Sequence, residues 1–355
     1  MILALIGLLA AVWQPQMSGS NVELRGLAVR DAQHAWASGF GGTVLRTRDG
    51  EHWEKTAVAF GEKLDFRDVE WLGGEVLVLM SAGEGEASKI FQSTDGGASW
   101  HRLHTNPDLK GFYDAIAFWD EKNGILLGDP VGGHFVVRTT ANGGRTWYTP
   151  KALKMPPALA GEGAFAASGT CLFVLKGGND AWFVTGGGGK SRVFHSEDRG
   201  VTWTAAETPL AASNASSGLF SIAFSDAKHG FVTGGDYKQP KFAGLNGART
   251  EDGGATWTPA PVSKTGFFSA VVPMPGAAED WIAVGLAGSA VSRDGGKTWA
   301  PLDREPLNAV AFSDPHTGWA VGPRGTVVRF ASDPLARFFG ESRSSRARER
   351  QASTA

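Results

Sequence analysis

The residues with the most chemical potential are arginines and carboxylates that lead into apolar segments at equivalent places along the chain: Leu24-Arg25-Gly26, Phe66-Arg67-Asp68, Phe112-Tyr113-Asp114 and Gly161-Glu162-Gly163. A second set of polar stretches adds Asp129, His134, Arg192, Asp236 and Tyr237. Convergent carboxylates can divide into an acid and a base, the machinery of a glycoside hydrolase or a lyase, and arginines can hold a substrate carboxylate. Asp114, Glu162, Asp68, Tyr113 and Asp236 are the candidates for such catalysis. The competing reading is that Arg25, Arg67 and their acidic neighbours form structural ion pairs, or line a surface that binds a protein.

Other chemistries find less support. Gly186-Gly187-Gly188-Gly189-Lys190-Ser191 has the composition of a phosphate loop, but Gly186 is four residues before Lys190 and no helical pattern follows. The eight histidines form no helical His-x-x-x-His pair, so neither a metal nor a cofactor is expected. Cys171, the sole cysteine, lies in the apolar run 171–175 and reads as a buried thiol. A formal charge of −2 with scattered arginines excludes a basic nucleic-acid footprint. Residues Ile2 to Val12 form an apolar run too short for a bilayer but suited to a secretory signal, although no basic residue precedes Arg25. This predicts a signal segment at 1–11, a periplasmic or secreted protein without a transmembrane span, and a disordered basic tail at 336–355.

The elements that must position the arginines and carboxylates come from a repeat. The motif Ser/Thr-x-Asp-x-Gly-x-Thr/Ser-Trp occurs cleanly at Ser93–Trp100, Ser196–Trp203, Thr250–Trp257 and Ser292–Trp299. Thr47–Trp53 is one residue shorter, and Thr140–Trp147 carries Asn142 in place of the aspartate. In a hairpin turn the carboxylate or amide accepts backbone N–H groups, glycine supplies positive φ, and the tryptophan buries a large ring between sheets. Asp49, Asp95, Asn142, Asp198, Asp252 and Asp294 are therefore expected to be structural, as are Trp53, Trp100, Trp147, Trp203, Trp257 and Trp299.

Successive box tryptophans lie 42 to 56 residues apart, the length of a four-stranded propeller blade. After Trp299 a last unit supplies three strands, 309–312, 318–321 and 326–329, but no fourth. Val12-Trp13-Gln14-Pro15 resembles Thr298-Trp299-Ala300-Pro301 and can supply it. The sequence thus predicts an all-β, seven-bladed propeller over residues 12–335, whose last blade is closed by the N-terminal strand, with the chain a monomer.

The boxes resemble those of the BNR or Asp-box repeat propellers, a superfamily that includes sialidases, xyloglucan-cleaving glycosidases and sortilin-type receptors. The phrase Ala311-Phe312-Ser313-Asp314, Gly318-Trp319-Ala320-Val321-Gly322 and Gly325-Thr326-Val327-Val328-Arg329 is most similar to the photosystem II stability and assembly factor-like branch. That resemblance implies an exported, cofactor-free protein that binds another protein during its assembly or maturation. The sialidase pattern is absent: Phe66-Arg67-Asp68-Val69 lacks the Ile-Pro signature, and Tyr113, Tyr148 and Tyr237 all precede the last two blades. The alternative is a carbohydrate-active enzyme that binds a glycan on the same face, with Arg25, Arg67, Asp68, Tyr113, Asp114, Asp129, His134, Glu162, Arg192, Asp236 and Tyr237 around the mouth.

Overall fold

The computed structural model describes residues 12–330 except Phe242. The expected signal segment and basic tail lie outside the described residues. Seven antiparallel sheets follow one another in chain order, each with its first strand innermost. Blade one is Leu24–Val29, Ala35–Gly39, Thr43–Thr47 and Trp53–Thr56, and blade two is Asp65–Gly73, Val76–Ala82, Lys89–Ser93 and His101–Thr105. Blade three differs from expectation. It has three strands, Tyr113–Phe118, Gly124–Val131 and His134–Thr140, and its fourth is reduced to a bridge between Thr139 and Tyr148. Blades four, five and six start at Leu172, Ser217 and Ala270 and have four strands each.

Blade two shows why the sequence stacks this way. Its strands are sandwiched between neighbours, so both faces must be apolar. Along Val76–Ala82, Leu77 and Leu79 pack with Trp36 and Val44 of blade one, whereas Val78 and Met80 pack with Ile116 and Leu126 of blade three. The core is thus distributed among the gaps between sheets. Among the described residues no helix is long and apolar enough to cross a membrane.

The box turns form as the motif predicts. In blade two, Asp95 Oδ1 accepts Ser99 N–H at 2.9 Å, Oδ2 accepts the Ser99 hydroxyl at 2.6 Å, and Ser93 Oγ accepts Gly97 N–H at 2.8 Å. Asp252 and Asp294 repeat these contacts. Asn142 keeps the backbone bond, to Thr146 N–H at 3.0 Å. These bonds hold the Asp95 and Asp252 carboxyls down at about 2 despite an opposing desolvation effect.

Blades are also tied through the boxes. The Trp36 indole of blade one donates to Gly96 O in the box of blade two at 2.9 Å, and Trp182 of blade four donates to Gly253 O in the box of blade five at 2.8 Å. Between blades two and three, Gln92 Nε2 donates to Gly143 O at 2.7 Å. At the final junction Gln16 Nε2 and Arg329 Nη1 donate to Gly50 O at 2.7 and 3.1 Å.

The ring closes as predicted. Trp13–Gln16 pairs antiparallel with Val327–Phe330, placing Trp13 opposite Phe330 and Gln16 opposite Val327. Trp13 is buried, meets the Phe330 ring edge-on at 5.5 Å, and donates its indole N–H to Ser289 Oγ of blade six at 3.0 Å. Trp13→Ala should therefore destabilise the protein by about 3–5 kcal/mol in denaturant unfolding, more than Asp95→Ala, whose exposed turn bond contributes about 1 kcal/mol; equal costs would contradict the closing role.

Candidate functional site

Connections from each outermost strand to the next blade, and from second to third strands, emerge on the face opposite the boxes and surround a mouth. The expected inner strand at Gly161-Glu162-Gly163 is not there. Blade four's inner strand is Leu172–Val174, and the Ala- and Gly-rich stretch before it lies across the mouth as a strap. That stretch lacks the β-branched alternation that would hold it as a strand, and Gly161 and Gly169 both take φ of +76°.

The strap explains much of the charge. Arg25 Nη1 donates to Ala167 O at 3.1 Å and Arg67 Nη1 to Ala166 O at 2.7 Å. Asp129 Oδ1 accepts Ala164 N–H at 3.0 Å. Glu162 is enclosed by Arg192, whose Nε donates to Oε1 at 2.8 Å and whose Nη2 bonds Oε2, with the Thr185 hydroxyl adding a bond at 2.6 Å. The arginines are paired with acids of their own: Arg25 with Glu23 at 2.6 Å and Arg67 with Asp65 at 2.7 Å. Both guanidinium groups also lie over Phe40, at 5.9 and 5.0 Å.

Beneath the strap, polar side chains at the heads of the inner strands tie one blade to the next. Asp68 Oδ2 accepts Ile116 N–H at 2.8 Å, Ser221 Oγ accepts Val271 N–H at 3.0 Å, the Ser269 hydroxyl donates to Asn308 O at 2.7 Å, and Asn308 Nδ2 donates to Leu24 O at 2.9 Å. Asp114 occupies the bulge of blade three's inner strand, where Arg25 and Arg67 stand in blades one and two, and both of its oxygens are buried without a hydrogen-bond partner. Burial pushes the Asp68 and Asp114 carboxyls well up, with the charge of Glu70 adding to the first and that of Asp129 to the second. Asp129 is pushed up to about 6 by burial, against the pull of the Ala164 bond.

The mouth cavity, about 1050 Å³, brings Arg25, Arg67, Asp114, Asp129, Glu162 and Tyr237 together. Five other expected members lie elsewhere or serve other contacts. Asp68 is sealed below, where a Cβ on Gly169 would lie 2.4 Å from its Oδ1. Tyr113 is buried and bonds His104 Nε2 at 2.9 Å, and the bulge after it leaves Asp114, not Tyr113, on the cavity lining. Arg192 stands behind Glu162. Asp236 caps its own loop by accepting Ser216 Oγ at 2.7 Å and Lys238 N–H at 2.9 Å, beside a separate niche. His134 is exposed at the start of a strand and does not line the cavity.

Sequence reasoning missed an aromatic wall. Phe165 of the strap stacks on Phe220 at 4.0 Å, Phe267 meets Phe220 edge-on at 4.6 Å, and Tyr237 stands 6.1 Å from Phe220. The available signal was an aromatic immediately before, or two before, the polar ring positions Ser221 and Ser269.

Residues 8–153 match the family model described as photosynthesis system II assembly factor YCF48. Among solved structures the chain is similar to YCF48 bound to D1 peptide, at 18% identity and a TM-score of 0.66 over 91% of this chain and 97% of that one. YCF48 from Cyanidioschyzon merolae gives 18% identity and a TM-score of 0.62 over 90% and 99%. The GH74 xyloglucanase from Xanthomonas campestris gives 18% and 0.60, over 91% of this chain and 54% of that one. No curated protein matches the chain. The chain thus shares the seven-bladed propeller fold of the YCF48 structures and is similar to that family over residues 8–153.

Asp129 supplies a pH-dependent test of the site. An acid whose pKa is raised on folding binds its proton more tightly in the folded protein, so its ionisation weakens the fold as pH rises from about 4 to above 6. Asp129→Asn, which keeps an acceptor for Ala164 N–H, should raise stability at pH 8 by about 2–3 kcal/mol and leave it unchanged at pH 4. A gain that is the same at both values would show that ionisation is not responsible.

Proposed function

We propose that this chain is an exported binding propeller that captures a segment of a partner protein on its mouth face, as an assembly or maturation scaffold. The observation that carries this reading is the display of apolar side chains on that face. Of the five large apolar side chains exposed among the described residues, Met17, Phe60, Leu109 and Tyr237, 90%, 88%, 74% and 43% exposed, belong to mouth-side connections, and only Tyr148 lies beside a box. Phe60 sits at φ +61°. A bulky residue in the left-handed region costs about 1–3 kcal/mol, here to present a ring to solvent. Apolar groups concentrated on one face mark a binding surface, and the aromatic wall of Phe165, Phe220 and Phe267 continues the apolar area into the cavity. The similar YCF48 structure bound to D1 peptide supports peptide capture. Export is supported by the apolar run from Ile2 to Val12.

The carbohydrate-active reading is less well served by the geometry. Glu162 is enclosed by Arg192 and Thr185, and Asp114 lies under the strap with 1% of its surface exposed, so neither presents a carboxylate to a glycosidic oxygen.

Phe60→Gly removes the ring while relieving the backbone, so it should leave thermal stability unchanged or higher. In capture from an envelope extract, wild type should retain a defined partner that the variant retains at least tenfold less well. Hydrolysis of a defined glycan by wild type, with capture unaffected by the variant, would overturn the binding reading.

A further inference from the structure

The charges lining the mouth do not cancel, and the excess has the opposite sign from that suggested by its arginines. Arg25, Arg67 and Arg192 are neutralised by Glu23, Asp65 and Glu162, and the first two direct further N–H groups at the strap carbonyls of Ala167 and Ala166. Beyond these pairs the cavity lining holds two acids, Asp129 and the buried Asp114, against one further cation, Lys110. Asp114 and Asp129 stand on adjacent strands of blade three, Tyr113–Phe118 and Gly124–Val131. Asp129 accepts one backbone N–H, whereas Asp114 is buried with both oxygens unpartnered. Arg67 is near enough to attract Asp114, but its bonds go to Asp65 and Ala166. Carboxylates in so poorly hydrated a place are stabilised by an arriving positive charge far more than surface carboxylates are.

The kind of cation is constrained by spacing. Among the described residues, only Asp180, His195 and Glu197, away from the mouth, bring three ligand atoms within 4.8 Å of one another, so the mouth carboxylates do not form a compact metal cage. A guanidinium or ammonium group on a flexible stem meets a different requirement. Its N–H groups reach carboxylates that share no single point, and its methylenes pack along an apolar wall. The stacked Phe165 and Phe220 line the same cavity and supply that wall.

We propose that the mouth cavity receives a cationic side chain, arginine or lysine, from the captured partner segment, with Asp129 at the contact and Asp114 as the buried carboxyl beside it. This rests on the binding reading given above and adds the charge of the ligand.

A phage-displayed library of random dodecapeptides is the probe. Selection on the wild-type protein should enrich peptides with arginine or lysine at one fixed position, and selection on Asp129→Asn should lose that preference. A synthetic peptide of the enriched sequence should bind at least tenfold more weakly when the cationic residue is replaced by norleucine, and also when the protein carries Asp129→Asn. Combining the two changes should add little to either alone, because both remove the same interaction. Asp129→Asn retains the Ala164 acceptor, and its folding is checked by thermal unfolding; Asp114→Asn provides a second variant with the same expected direction. Enriched sequences that are neutral or acidic at every fixed position would overturn the cationic site while leaving peptide capture standing. Failure to enrich any sequence would overturn both.

Discussion

The structure depends on a closed ring in which no sheet has an unsupported face. Each blade is apolar on both sides and is stable only between two neighbours, so the strand pairing of Trp13–Gln16 with Val327–Phe330 matters far beyond its own hydrogen bonds. Without it, the core shared by blades seven and one, including Leu24, Leu45, Trp319 and Val327, would have nothing to keep it from water. Closure joins residues from opposite ends of the chain. Packing of the intervening blades must bring them together before the pairing can form.

Once closed, the ring fixes the heads of seven inner strands around a narrow axis, and that crowding sets the character of the mouth. Polar side chains there are used first to tie blades together, as with Asp68, Ser221, Ser269 and Asn308. The strap adds a second layer held by Arg25, Arg67 and Asp129. Asp114, in the bulge of blade three, has no such bond, a local cost to stability of the kind often associated with function.

The fold was legible because its signals are local. A box turn needs the aspartate, the glycine and the tryptophan within eight residues, and the closing strand carries the same Trp-x-Pro signature as its counterparts in other blades. The site was only partly legible. Arg25 and Arg67 looked like anion receptors, yet each follows an acid two residues earlier, Glu23 and Asp65; in a strand that spacing puts both side chains on one face, so the pairing was readable and was missed. The strap was unreadable for a different reason. Its Ala and Gly residues have no periodicity, and its position is set by carbonyls bonding to arginines about 100 and 140 residues away.

The indole and amide bonds that join several blades to the next box have a consequence for how the repeats can fail. Repeated sheets of similar shape invite misordering, in which one blade docks against the wrong neighbour or a copy from another chain. Here the junctions use three kinds of key: an indole for Trp36 on Gly96 and Trp182 on Gly253, an amide for Gln92 on Gly143, and an amide with a guanidinium for Gln16 and Arg329 on Gly50. A skipped or exchanged blade would leave an indole or guanidinium facing the wrong turn, with its donor unmatched. Blades that are alike in fold are therefore not all interchangeable, because the amide and guanidinium junctions do not match the indole ones.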